Sequence, residues 1–203
     1  MRKPIHPGVV DWAGENPGIY LREIADGPFV TLMVFFRIVV SRFGRGHVLA
    51  LLERPREAVY WPDAANLLIS DNEPLARYLI GGFVVKFPAF ADAVALEGLP
   101  HTPLTEVTSG GDGLSAFTET VRAEGLDVEL TWQDLGTPFA VELASDRTPT
   151  GHEMFSTFVE GHDASITVNG RRLTGKPFPR DFNGRTTSSA FLALCESWIT
   201  PPP

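Results

Sequence analysis

Cysteine is nearly missing from this chain. Cys195 is the only one in 203 residues, so an internal disulfide framework is excluded. Lysine is scarce too: Lys3, Lys86 and Lys176 are the only ones. No apolar stretch approaches the roughly 20 residues that a membrane span requires. The longest, Phe29 to Val40, is interrupted by Arg37 and reads as a buried strand. The start of the chain lacks a charged-then-apolar leader, so the expected compartment is cytoplasmic. A basic surface is absent as well: the net charge of −8 argues against a general nucleic-acid binder. Gly-x-Ser-x-Gly does not occur, and Gly110-Gly111-Asp112-Gly113 lacks the lysine and helix of a phosphate-cradling loop.

What remains suits one packed domain over residues 1–203, with 1–18 as a flexible arm and 200–203 as a tail. The hydrophobic fraction of 43% is ordinary for a globular core. Phe29–Val40 and His47–Leu52 flank a glycine-containing loop and predict a hairpin. Near-continuous hydrophobicity in both runs predicts that both faces are covered. Asn66–Ser70 predicts a short strand. Asp71 then offers an N-cap for a helix near residues 73–90, where Leu75, Leu79, Phe83 and Phe87 recur every four positions. Gly98–Gly113 reads as loop.

Beyond it, Ser115–Ala123, Leu126–Trp132, Phe139–Leu143, Met154–Val159, Ala164–Val168 and Arg171–Leu173 read as successive strands. Asn169-Gly170 marks a tight hairpin, because both residues tolerate positive φ. Asn183-Gly184 precedes a closing strand within Thr186–Ile199. The fold expected is mainly antiparallel β (α+β): a curled sheet or partly closed, lipocalin-like barrel with one helix.

Several residue groups could carry chemistry. Gly151-His152-Glu153 and Gly161-His162-Asp163 are similar tripeptides ten residues apart. Brought together, they could hold a divalent metal with His47 or His101 as a third ligand, although the spacing fits no zinc signature. The plain alternative makes both of them turns flanking the strand Met154–Val159. Arg37, inside an apolar run, suits an anchor for a carboxylate, phosphate or enolate, or else a strand-end arginine paired to a carboxylate. Lys86 stands in an apolar setting, where desolvation would lower its pKa and make it nucleophilic. Lys176-Pro177-Phe178-Pro179-Arg180-Asp181-Phe182 is a loop that could close a barrel mouth, with Phe178 and Phe182 as lining.

Leu67-Leu68-Ile69-Ser70-Asp71-Asn72-Glu73-Pro74, followed by Lys86-Phe87-Pro88, resembles the acetoacetate decarboxylase family, and Asp112–Leu130 has a compatible rhythm. The resemblance implies lyase chemistry with Lys86 as Schiff-base nucleophile. The chain departs from the family pattern in that its lysine precedes the proline and stands alone, with no matching glutamate. At most a third of the chain is covered.

Three functions follow as expectations. The first is a small-molecule-binding barrel for an apolar or acidic organic ligand, with Arg37 as anchor and Phe35, Trp61, Trp132 and Phe178 as walls. The second is a lyase or isomerase that uses no cofactor, working in the same pocket through His152, His162 or Lys86. The third is a structural module that meets a partner or forms a homodimer. Nucleic acid and membrane are not expected partners.

Overall fold

The computed structural model describes residues 7–57, 64–96 and 98–202. Two strands open the chain, β1 (Val9–Glu15) and β2 (Gly18–Arg22). The predicted hairpin follows as β3 (Phe29–Ser41) and β4 (Gly46–Glu53), and then β5 (Asn66–Ser70). Helix α1 (Glu73–Gly82) is capped by Asn72, whose side chain accepts from the Leu75 amide. It ends at Gly81-Gly82, where two glycines weaken a helix by about 2 kcal/mol relative to alanines. Short 3-10 turns at Val84–Lys86, Pro88–Phe90 and Val94–Leu96 complete the connection.

The second half supplies β6 (His101–Gly111), β7 (Ala116–Ala123), β8 (Leu126–Leu135) and β9 (Phe139–Leu143). After these come the long β10 (Glu153–Val168), β11 (Arg171–Arg172), β12 (Pro179–Phe182), β13 (Arg185–Ser188) and β14 (Ala190–Thr200).

Nine strands close a barrel, in the order β14, β2, β3, β4, β5, β6, β7, β8, β10 and back to β14. All neighbours are antiparallel except β5 and β6. A parallel pair needs a long crossover, and α1 with its 3-10 turns provides it. The barrel and the helix expected near 73–90 are therefore both present. β1 lies across the barrel wall, pairing with β14 and β3. β12 and β13 form a separate two-stranded sheet.

Alternation along the strands divides the core in two. Met33, Phe35, Leu49, Leu51, Leu130 and Trp132 belong to one buried cluster fed by strands all round the ring. Only the lumen can bring them together, so the lumen is filled by side chains. Leu32, Val34, Phe36 and Leu75 belong to the second cluster, between the outer barrel face and its covering layer of β1, α1 and the 3-10 turns. This is why β3 and β4 are apolar at nearly every position.

Four expectations need correction. Residues 9–15 of the supposed flexible arm are a strand, and Trp12 is fully buried; the β14 partners of β1 are almost the whole chain away. Gly98–Gly113 contains β6, whose largely exposed residues gave no apolar pattern and which β5 and β7 hold from either side. Gly161-His162-Asp163 is no turn but lies inside β10, where Gly161 passes so close to Trp132 that a Cβ would sit 3.2 Å from its ring. The helix cap is Asn72, because Asp71 is engaged by the amide and ring of His47. Both Asn-Gly turns form as expected, with positive φ at each residue.

Candidate functional site

The histidines and the lysine singled out from sequence do not converge. His152 directly precedes β10 and His162 lies ten positions on within it, roughly 30 Å away by strand geometry. His152 Nε2 lies 3.0 Å from Asp11 Oδ2, and the same carboxylate accepts from the Tyr78 hydroxyl. Burial and that bond hold the Tyr78 phenol well above its ordinary range. His162 is exposed and borders a separate hollow of about 300 Å³ together with Phe178. No three His, Cys, Asp or Glu side chains are grouped as metal ligands among the described residues. Lys86 is exposed on its 3-10 turn. Trp61 lies outside the described residues.

Phe35 and Trp132 are fully buried in the lumen cluster, and the Trp132 indole donates to the Gly18 carbonyl at 3.2 Å. Arg37 is at one mouth of the barrel, already engaged by Glu119 at 2.6 Å and Glu15 at 2.5 Å. Ser109 also donates to the Glu119 carboxylate. Burial raises the Glu119 carboxyl even beside this arginine. With two carboxylates on it, Arg37 already has its counter-charge.

A different cavity, of about 370 Å³, combines apolar walls with unmatched polar groups. Its floor is the outer barrel face: Tyr20 of β2, Met154 and Phe158 of β10, and Phe191 and Trp198 of β14. Its cover comes from Phe87 and Pro88, from the 147–149 loop, and from the β12–β13 hairpin through Arg180 and Phe182. Phe158 stacks between Phe182 and Phe191, with ring centroids 5.0 and 5.2 Å away. The hairpin is pinned by Ser189, which donates to the Tyr20 carbonyl at 2.6 Å and accepts from the Phe178 amide. A second hollow of about 380 Å³ is bordered by Arg22, Asp26, Arg56 and Asp92. There Arg56 is paired with Asp92 at 2.9 Å.

Glu196 is 2% exposed and lines the first cavity. A β-bulge directs it there. Phe155 pairs with Ser197 and Thr157 with Leu194, so Ser156 faces both Cys195 and Glu196. Cys195 takes φ of +52°, a conformation unfavourable for a side chain. Before the bulge, Phe191 and Ala193 face the outer layer; after it the parity has changed, and Glu196 and Trp198 face the same way. Oε1 of Glu196 accepts from Trp198 Nε1 at 2.6 Å and from Asn16 Nδ2 at 3.3 Å. Burial outweighs these bonds and pushes the carboxyl up to about 7.

Arg180 is at the hairpin end. Its guanidinium lies over Phe191 at 4.9 Å, Tyr20 at 5.2 Å and Phe182 at 5.4 Å. Its Nε is shielded from solvent and has no hydrogen-bond partner. Burial makes the charged form harder to hold. Burial also pushes the Tyr20 phenol up to about 12, with Arg180 and Glu196 acting on it in opposite directions.

Sequence reading missed Glu196, Arg180, Tyr20 and Asn16. A lone carboxylate in the apolar run of β14, and an arginine amid prolines and phenylalanines, were the available signals. Comparison with protein-family models, curated proteins and solved structures gives no match to this chain.

Proposed function

We propose that this protein binds a small, largely apolar organic acid in the cavity between the outer barrel face and the β12–β13 hairpin. The observation that carries this reading is Arg180. An arginine among aromatic faces, with its Nε shielded from solvent and no ion-paired carboxylate among the described residues, is costly unless an anion completes it. Aromatic walls with few polar groups are the usual composition of a ligand pocket, and about 370 Å³ is within the usual size range. The anion anchor of the binding barrel is thus Arg180 in place of Arg37.

Titration calorimetry with phenylacetate tests the reading. Binding is expected, and Arg180→Gln should weaken it at least tenfold while melting near the wild-type temperature. Equal affinity in the variant, or no binding to the wild type, would overturn it.

A second reading rests on Glu196. A carboxyl that changes charge near pH 7 inside an apolar cavity suits general acid–base work. In this form the protein is an isomerase or lyase that needs no cofactor, with Glu196 moving the proton. Its mark would be turnover that Glu196→Gln abolishes while ligand affinity is retained.

A further inference from the structure

The cavity carries unsatisfied groups of opposite hydrogen-bonding sense. At the hairpin side there is a donor, Arg180 Nε, buried and unpartnered. Toward Glu196 there is an acceptor, Asn16 Oδ1, also buried and unpartnered, on a residue 5% exposed. Glu196 fixes the sense of that amide: Nδ2 donates to the Glu196 carboxylate, so the oxygen is the atom left over. Glu196 is a further acceptor at the same place, already taking the Trp198 indole N–H. An unsatisfied buried polar group costs about 1–3 kcal/mol, and native structures hold few of them. An orphan donor and an orphan acceptor lining one apolar cavity together describe the complement of a guest.

The two lie at different places along β14: the Arg180 guanidinium is over the Phe191 ring at 4.9 Å, whereas Asn16 is bonded to Glu196, farther along the strand and beyond its bulge. A guest that satisfies both must therefore carry its two polar groups apart, with an apolar body beside Phe158, Phe191 and Trp198. An acid whose hydroxyl sits on the carbon next to its carboxylate cannot reach both.

Resting on the acid-binding reading above, we infer that the ligand is bifunctional: a carboxylate for Arg180 at one end, and a hydroxyl or amino donor for Asn16 and Glu196 at the other. Aryl carboxylic acids bearing a hydroxyl on the far side of the ring are the class that fits. A site built to bond a hydroxyl discriminates strongly against the analogue lacking it, because its own polar groups are then left unpaired.

The test is a ligand series titrated into the intact wild-type protein: phenylacetate, 4-hydroxyphenylacetate and 4-methoxyphenylacetate. The hydroxy acid should bind at least tenfold tighter than phenylacetate. The methoxy acid, which accepts but cannot donate, should bind no tighter than phenylacetate. Asn16→Ala should narrow the gap between the first two, because the hydroxyl then loses an acceptor. The ranking is measured on the wild type, so it stands whether or not that variant folds. Hydroxy and unsubstituted acids of equal affinity, both weakened by Arg180→Gln, would overturn the donor claim and leave the acid site intact. If no member of the series binds, the acid-binding reading itself falls, and this inference with it.

Discussion

A glutamate enclosed by Tyr20, Phe158 and Trp198 must make folding depend on pH in a definite direction. The folded carboxyl ionises near 7 and an ordinary glutamate near 4.5. Between those values the folded state holds more protons than the unfolded one. Stability due to Glu196 therefore falls as pH rises across that window, and is level above it. Glu196→Gln, which keeps an acceptor for the Trp198 indole, should flatten this slope. At pH 8 the variant should be more stable than wild type by on the order of 2 kcal/mol. Urea unfolding at pH 5 and pH 8 measures both effects, and an unchanged slope would remove Glu196 as their source. Arg37 and Arg180 make the complementary point about legibility. Both stand among apolar neighbours in the sequence. What separates them is Glu119, a residue 82 positions from Arg37 that supplies its counter-charge, whereas Arg180 receives no such partner among the described residues. Local strings do not contain that difference.

At the scale of elements, the hairpin β12–β13 is a part of the cavity's cover that lies outside the barrel sheet. Its strands pair only with each other; Ser188 and Ser189 tie its base to β10 and β2, and it closes at Asn183-Gly184 with φ of +53° and +85°. A β-branched residue at the second position would be strained by about 1–2 kcal/mol. Gly184→Val should therefore lower phenylacetate affinity several-fold and speed amide exchange in residues 179–188, with the barrel amides unaffected. Protection that falls evenly over the whole chain would count against a locally opening cover. This turn was readable because its signal lies in two adjacent residues. The bulge at Cys195 was not. Uninterrupted alternation would have placed Glu196 in the lumen with Ala190 and Leu192. The partner that breaks the alternation, Ser156 facing two residues, is on another strand. Period-two reading fails wherever the extra residue is set by the neighbouring strand.

For the whole molecule, the filled lumen separates stability from binding. Phe35 is fully buried there, away from the cavity that Arg180 closes. Phe35→Leu should cost about 1–2 kcal/mol in urea unfolding while leaving ligand affinity within twofold of wild type. A large loss of affinity would place the ligand inside the barrel after all. The barrel, its helix and most of its strands were legible because alternation and turn residues are local. The N-terminal strands and β6 were not: β1 and β2 take β14 as a partner from the far end of the chain, and β6 is a polar strand held by pairing on both edges.

That closure also bears on how the molecule is made. The ring shuts only when residues 190–200 meet residues 9–22, and those same late residues bring Glu196 and Trp198 to the site. A ribosome that has released the first 188 residues has produced the hairpins but neither the seal nor the binding site. During synthesis the apolar edges of β2 and β10 wait uncovered, so the nascent chain is open to chaperone capture until its last strand arrives.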